Sequence, residues 1–123
     1  MAGFDLPRTA RLLSRSDFAS LRERSERIAT RSFVAEYRVS TKGLARLGVA
    51  ISRRVSKRAV ERNRIRRTIR ESFRAHRAEL PEFDILLIAR SMAAQQTNPL
   101  LRDDLLLIWH KLKVAAQASA LKE

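Results

Sequence analysis

No cysteine occurs among the 123 residues, which removes disulfides, thiolate nucleophiles and cysteine-type zinc sites. Histidine is nearly as scarce. The two present, His76 and His110, fall on separate predicted helices and do not suggest an acid–base pair. Acids are few, thirteen against twenty-six Lys and Arg. Asp103-Asp104 is the only acidic pair, and it reads as the first turn of a helix, where the dipole favours negative charge. Hydrolytic chemistry usually needs a positioned acid and base or a carboxylate cluster holding Mg²⁺. Nothing here supplies either, so the chain by itself is expected to be catalytically inert. His76, near a helix C-terminus, and Trp109, on the final helix, read as structural.

Other absences bound the setting. No stretch approaches the roughly 20 apolar residues needed to span a bilayer. Met1 to Thr9 does not lead into the apolar run of a secretory signal. Internal repeats and low-complexity segments are also missing. The expectation is a cytoplasmic protein of one domain, residues 1–123, with 1–5 and about 117–123 as flexible ends. A hydrophobic content of 45% is enough for an ordinary core.

What is abundant is positive charge. The net is +13 and the pI near 11.6, and Arg far outnumbers Lys. Such a field favours nucleic acid over acidic lipid or acidic protein, and the planar guanidinium suits phosphate oxygens. The charge is also concentrated. From Arg53 to Arg77 eleven Lys and Arg face two Glu, a net of +9, which leaves +4 for the other 98 residues.

Local patterns give an order of elements. Ser14 stands three residues before Asp17, a capping-box spacing for a helix over 15–23 with Phe18 and Leu21 on one side. Ser32 to Val39 alternates, with Phe33, Ala35, Tyr37 and Val39 on one face and Val34, Glu36 and Arg38 on the other, as in a half-buried strand. Ser40-Thr41-Lys42-Gly43 is a turn, and a second strand runs from about Arg46 to Ser52. A short additional strand is expected near Arg27 to Thr30. In the second strand Leu47, Val49 and Ile51 share one face, and Gly48, Ala50 and Ser52 the other. That second face is either a cleft floor, where something thick lies against the backbone, or a solvent face that happens to be small.

Ser56 is placed to cap a helix reaching about Arg77, stopped by Leu80-Pro81. Asp84 to Arg90 is a continuous apolar run, consistent with a central strand buried on both sides. Asn98-Pro99 reads as an N-cap followed by Pro at the first helical position. The last helix, to about Ala118, has Leu101, Leu105, Ile108 and Leu112 as its apolar stripe.

At about 100° per residue, the middle helix presents Ile65, Ile69 and Phe73 as a docking stripe. Asn63, Arg66, Arg70, Arg74 and Arg77 fill the neighbouring arc, followed by Arg67. Arg62-Arg66-Arg70-Arg74 is a like-charge ladder, whose i, i+4 pairs repel by a few tenths of a kcal/mol each. A solvated helix would interleave acids; this one anticipates a polyanion.

The run Lys57-Arg58-Ala59-Val60-Glu61-Arg62-Asn63-Arg64-Ile65-Arg66-Arg67-Thr68-Ile69-Arg70 closely resembles the arginine-rich RNR helix of the bacterial ribonuclease P protein family. Pro7-Arg8 with Arg11-Leu12, Asp17-Phe18, Gly48 to Arg54, and Asp84 to Arg90 match further landmarks, so the likeness covers about Leu6 to Val114. The resemblance implies an α+β fold, a two-layer α/β sandwich of order α-β-β-β-α-β-α. Its βαβ crossover would be left-handed, against the usual rule, as in the second domain of a small-subunit ribosomal protein. It also implies a subunit that assists a catalytic RNA, with bound Mg²⁺, in removing the 5′ leader from precursor tRNA and lowers the Mg²⁺ requirement.

Carried over by position, Arg58, Arg62, Asn63, Arg64, Arg66, Arg67 and Arg70 would meet the RNA subunit. Phe18, Arg22, Val34, Glu36, Ala50, Ser52, Arg53, Arg54 and Arg90 would meet the leader, with Phe18 stacking on a base at roughly 1–3 kcal/mol. Arg22 departs from the family, which commonly has a second aromatic there. The implied partners are the RNA subunit and precursor tRNA, with neither membrane nor DNA. Two other readings of the charge are a ribosomal protein and a helix-turn-helix DNA regulator; neither accounts for the RNR string.

Overall fold

The computed structural model describes residues 25–121, with side chains to residue 118. The expected first helix, with Phe18 and Arg22, lies outside the described residues. Strands β1 (Glu26–Ala29), β2 (Phe33–Val39), β3 (Arg46–Ala50) and β4 (Phe83–Ala89) form one sheet in the order β1-β2-β4-β3. Helix α1 (Ala59–His76) joins β3 to β4, and helix α2 (Asn98–Leu121) closes the chain. The extra strand anticipated near Arg27 is β1.

β4 is the central strand. It pairs antiparallel with β2, Glu36 opposite Leu86, and parallel with β3, Gly48 opposite Leu86. The unbroken apolar run Ile85-Leu86-Leu87-Ile88 follows from that position, since such a strand is covered on both faces.

One face of the sheet carries the core. Phe33, Ala35, Leu47, Ile85 and Leu87 meet Ile65, Ile69 and Phe73 of α1 and Leu101, Leu105, Ile108 and Leu112 of α2, all essentially solvent-free. Each large side chain so buried contributes about 1.5–3 kcal/mol. Trp109 packs tilted on Phe73 at 6.0 Å, and its indole N–H donates to Ser72 Oγ at 2.8 Å, which satisfies the one polar atom that burying an indole strands. His76 sits beside it in the same structural role, with Nδ1 2.9 Å from the Ser72 carbonyl.

Several local expectations shift by a residue or two. Ser56 does not cap α1. The N-cap is Arg58, with no side-chain cap bond, and Ser56 Oγ instead accepts the Arg58 amide at 3.2 Å, tightening the preceding turn. Asn98 is already helical; Thr97 Oγ1 lies 3.4 Å from the Leu100 amide in the capping position, so Pro99 is second in the helix. Asp103-Asp104 consequently falls in the second turn. Asp104 is no solvated dipole partner, because its Oδ2 accepts from Thr30 Oγ1 and the Ser32 amide, both at 2.8 Å. That pair of bonds clamps the β1–β2 turn onto α2. Gly43 makes the β2–β3 turn with φ +69°, a conformation glycine adopts without steric cost.

Candidate nucleic-acid interface

Two surfaces carry the residues singled out from sequence. The first is the outer side of α1. Docking through Ile65, Ile69 and Phe73 leaves the adjoining arc to polar residues. There Asn63, Arg66, Arg67, Arg70, Glu71 and Arg74 line a shallow groove of about 340 Å³. Arg66 Nη1 donates to Asn63 Oδ1 at 2.9 Å, holding its guanidinium along the groove. Arg74, missing from the family carry-over, contributes the one buried side-chain nitrogen or oxygen among the described residues without a hydrogen-bond partner, its Nε. A groove walled by four guanidinium groups is complementary to oxyanions. The sequence signal for Arg74 was the i, i+4 continuation of the ladder.

Not every candidate on α1 joins that groove. Arg62 turns back, donating from Nη1 to the Ser56 carbonyl at 2.9 Å. Arg64 points towards α2: it pairs with Glu61 and donates to Asn98 Oδ1 at 2.6 Å. These two guanidinium groups fasten the helix start and the α1–α2 contact. Arg58 and Arg67 are exposed.

The second surface is the sheet face opposite the helices. By register it comprises Val34 and Glu36 of β2, Leu86 and Ile88 of β4, and Gly48 and Ala50 of β3. Leu86 is only 2% exposed, packed with Ala50 and Ile88. The floor is therefore apolar along β4 and thin along β3. The sequence assigned Val34, Glu36, Ala50 and Ser52 to it but not Leu86 and Ile88, because a continuous apolar run hides which residues face which way.

The two ends of this floor differ. At one end β3 and β4 both terminate, being parallel, so Ser52, Arg53 and Arg54 emerge on the same side as Arg90 and lead directly into α1. All four are exposed. Arg90 is partly committed, its Nη1 donating to the Thr30 carbonyl at 2.8 Å, a bond that leaves its other N–H groups for a ligand. At the other end Asp84, wholly buried, receives Arg46 through Nε at 2.7 Å and Nη2 at 2.9 Å, and Arg38 through Nη2 at 3.4 Å. This ionic cluster across three strands was not anticipated. Its one carboxylate is engaged by two guanidinium groups, so it offers no free negative charge towards the floor.

Among the described residues no group of three or more His, Cys, Asp or Glu side chains stands together as a metal cage. None of the described helices is long and apolar enough to cross a membrane.

Comparison with known proteins places this architecture. The family model for ribonuclease P matches residues 6–113. The ribonuclease P protein component of Legionella pneumophila (strain Lens) is 38% identical over 109 residues, 89% of this chain and 94% of that one. Among solved structures, a mutant RNase P protein of Staphylococcus aureus superposes with a TM-score of 0.77 at 32% identity, over 86% of this chain and 87% of that one. The RNase P protein of Thermotoga maritima gives 0.73 at 29% identity, over 84% and 94%.

Proposed function

The chain belongs to the bacterial ribonuclease P protein family, and from that premise we propose how its two surfaces divide the work. As a member of that family it is a protein subunit of ribonuclease P, whose holoenzyme cleaves tRNA precursors, and it assists the RNA subunit. Our reading is that the α1 groove meets the RNA subunit, with Asn63, Arg66, Arg67 and Arg70 in contact and Arg74 beneath them. Arg58 extends that contact, while Arg62 and Arg64 act mainly by fastening the helix. The single observation that carries this is the groove itself, walled by Arg66, Arg67, Arg70 and Arg74.

The sheet floor is assigned to the single-stranded 5′ leader of precursor tRNA. Val34, Ile88 and Ala50 offer partly exposed apolar surface for bases around the buried Leu86, and Ser52, Arg53, Arg54 and Arg90 offer donors for phosphates at one end. Phe18 would complete the contact in the family pattern, with Arg22 standing where the family commonly has a second aromatic. Catalysis belongs to the RNA. Mg²⁺ is assigned to the RNA subunit, as the resemblance to the family implies. The protein lowers the Mg²⁺ requirement by placing cationic side chains between two polyanions that must approach. Its place of work is the cytoplasm.

The test is the salt dependence of RNA-subunit binding. Each phosphate contact contributes close to one unit to the slope of log K against log salt. Arg66→Ala and Arg70→Ala should each flatten that slope by about one, whereas Val39→Ala, at an exposed strand end, should leave it alone. An unchanged slope in both arginine variants would remove the groove from the RNA interface.

A further inference from the structure

The outer side of α2 carries an ordered pattern that the RNA-binding surfaces do not use. Leu100, Leu107 and Val114 are 51%, 43% and 48% exposed, and Asp103 and Lys111 are exposed between them. At about 100° per residue these five fall within an arc of roughly 80°, directed away from the stripe of Leu101, Leu105, Ile108 and Leu112 that packs the core. Single exposed apolar residues are ordinary. Three at intervals of seven, on one line of one helix, form a seam.

The seam is a palindrome in spacing and an antipalindrome in charge. Read from Leu107 outwards, a charged residue stands four positions away on each side and an apolar residue seven. The charge on one side is acidic, Asp103, and on the other basic, Lys111. A second copy laid antiparallel, with a two-fold axis at Leu107, therefore sets Leu107 on Leu107 and Leu100 on Val114. It also sets Asp103 on the other copy's Lys111, twice over. A parallel copy would instead oppose like charges. The seam is neutral in a chain of net charge +13, so on this face two such chains meet with each basic Lys111 set opposite an acidic Asp103. Beside it runs a groove of about 260 Å³ lined by Leu100, Asp103, Asp104 and Leu107 with Arg31 and Ser32, which gives the other copy's side chains somewhere to insert.

We propose that this face of α2 is a self-association surface, on which two copies of the chain pair antiparallel about Leu107. Two-fold interfaces are self-complementary by construction, each contact occurring twice, and this seam has that property written in its residues. The contact is small and opposes the repulsion of two basic chains, so the dimer is weak and is favoured by moderate salt. The arginine groove on α1 and the sheet floor stay outside the contact line, so each copy keeps its RNA surfaces.

The absence of cysteine makes the geometry directly testable in the full chain. At the 8–10 Å separation of packed helices, residues on the two-fold axis bring their Cα atoms to roughly 4–5 Å, within disulfide reach. Leu107→Cys under mild oxidation should give a covalent dimer at least about tenfold faster than Leu106→Cys, whose site is equally exposed but turned aside by about 100°. Sedimentation at about 0.3 M salt, where the Debye length is roughly 6 Å, should show a reversible wild-type dimer. Leu107→Glu should abolish it, and Lys111→Glu should weaken it by roughly tenfold, with two ion pairs turned repulsive. Exchanging the pair, Asp103→Lys with Lys111→Asp, should restore it. Equal cross-linking at both positions, a wild-type monomer at every concentration, or failure of the exchange to rescue would each overturn the proposal. Unchanged circular dichroism of the variants confirms that each substitution acts at the surface.

Discussion

Removing Arg46 while keeping Asp84 should be among the most damaging single changes in the sheet. Asp84 is fully buried and Arg46 is 6% exposed, and the two are joined by parallel bonds of 2.7 and 2.9 Å. Arg46→Met preserves the aliphatic stem and deletes the fork. Breaking a buried pair from one side costs about 3–5 kcal/mol, because a charge is left without its partner in a dry site. Arg38, at 3.4 Å from the same carboxylate, offsets part of that, so the lower end of the range, about 3 kcal/mol, is expected. At roughly 2.1 cal/mol/K per residue, the 123-residue chain would lose about 12 °C in Tm. Arg38→Met, at a longer and more exposed contact, should cost about 1 kcal/mol. The double change Arg46→Met with Asp84→Leu should recover much of the loss, since apolar replacement of both partners removes the stranded charge. Thermal and urea melts followed by circular dichroism measure all three. An Arg46→Met variant no worse than Arg38→Met would refute the reasoning that Asp84 depends on Arg46.

Two further outcomes follow. Phe18→Ala should weaken binding of a 5′-extended precursor more than binding of mature tRNA, by roughly 1–3 kcal/mol for a lost stacked base; equal losses for the two ligands would take Phe18 out of the leader contact. Burial, helped by the nearby charge of Glu26, raises the Tyr37 hydroxyl above its ordinary pKa of 10.0. The folded state then holds this proton where the unfolded chain has released it, so the contribution is intact below pH 10 and is lost as pH rises through the raised value. Urea melts between pH 9 and 11.5 should show a shallower alkaline decline for Tyr37→Phe than for wild type; parallel declines would contradict the shift.

Much of the architecture could be read from periodicity, because period-two and 3.6-residue patterns report which side of an element is dry. Phe33-Ala35-Tyr37 and Ile65-Ile69-Phe73 announced their faces that way, and the structure turns both into one shared core. The RNR string located the basic helix, and the four-residue ladder located its groove. The residues that escaped depend on neighbours far along the chain. Arg38, Arg46 and Asp84 meet only once three strands are in register, and no local pattern encodes that. Arg64 looked like its neighbours on α1 until Asn98, on another helix, drew it away. Leu86 and Ile88 joined the sheet floor unnoticed because β4 is apolar on both sides. The caps moved by one or two residues because Ser56 and Asn98 have competing bonds to the Arg58 amide and the Arg64 guanidinium.

On the proposed function this chain helps an RNA catalyst and performs no cleavage itself. The direct measurement is cleavage of a 5′-extended precursor tRNA by the purified RNA subunit at low Mg²⁺, with and without the protein, alongside the protein alone. Added protein should restore cleavage, the protein alone should be inactive, and Arg66→Ala with Arg70→Ala should raise the Mg²⁺ needed. Unchanged cleavage at low Mg²⁺ despite tight RNA binding, or cleavage by the protein without RNA, would contradict it.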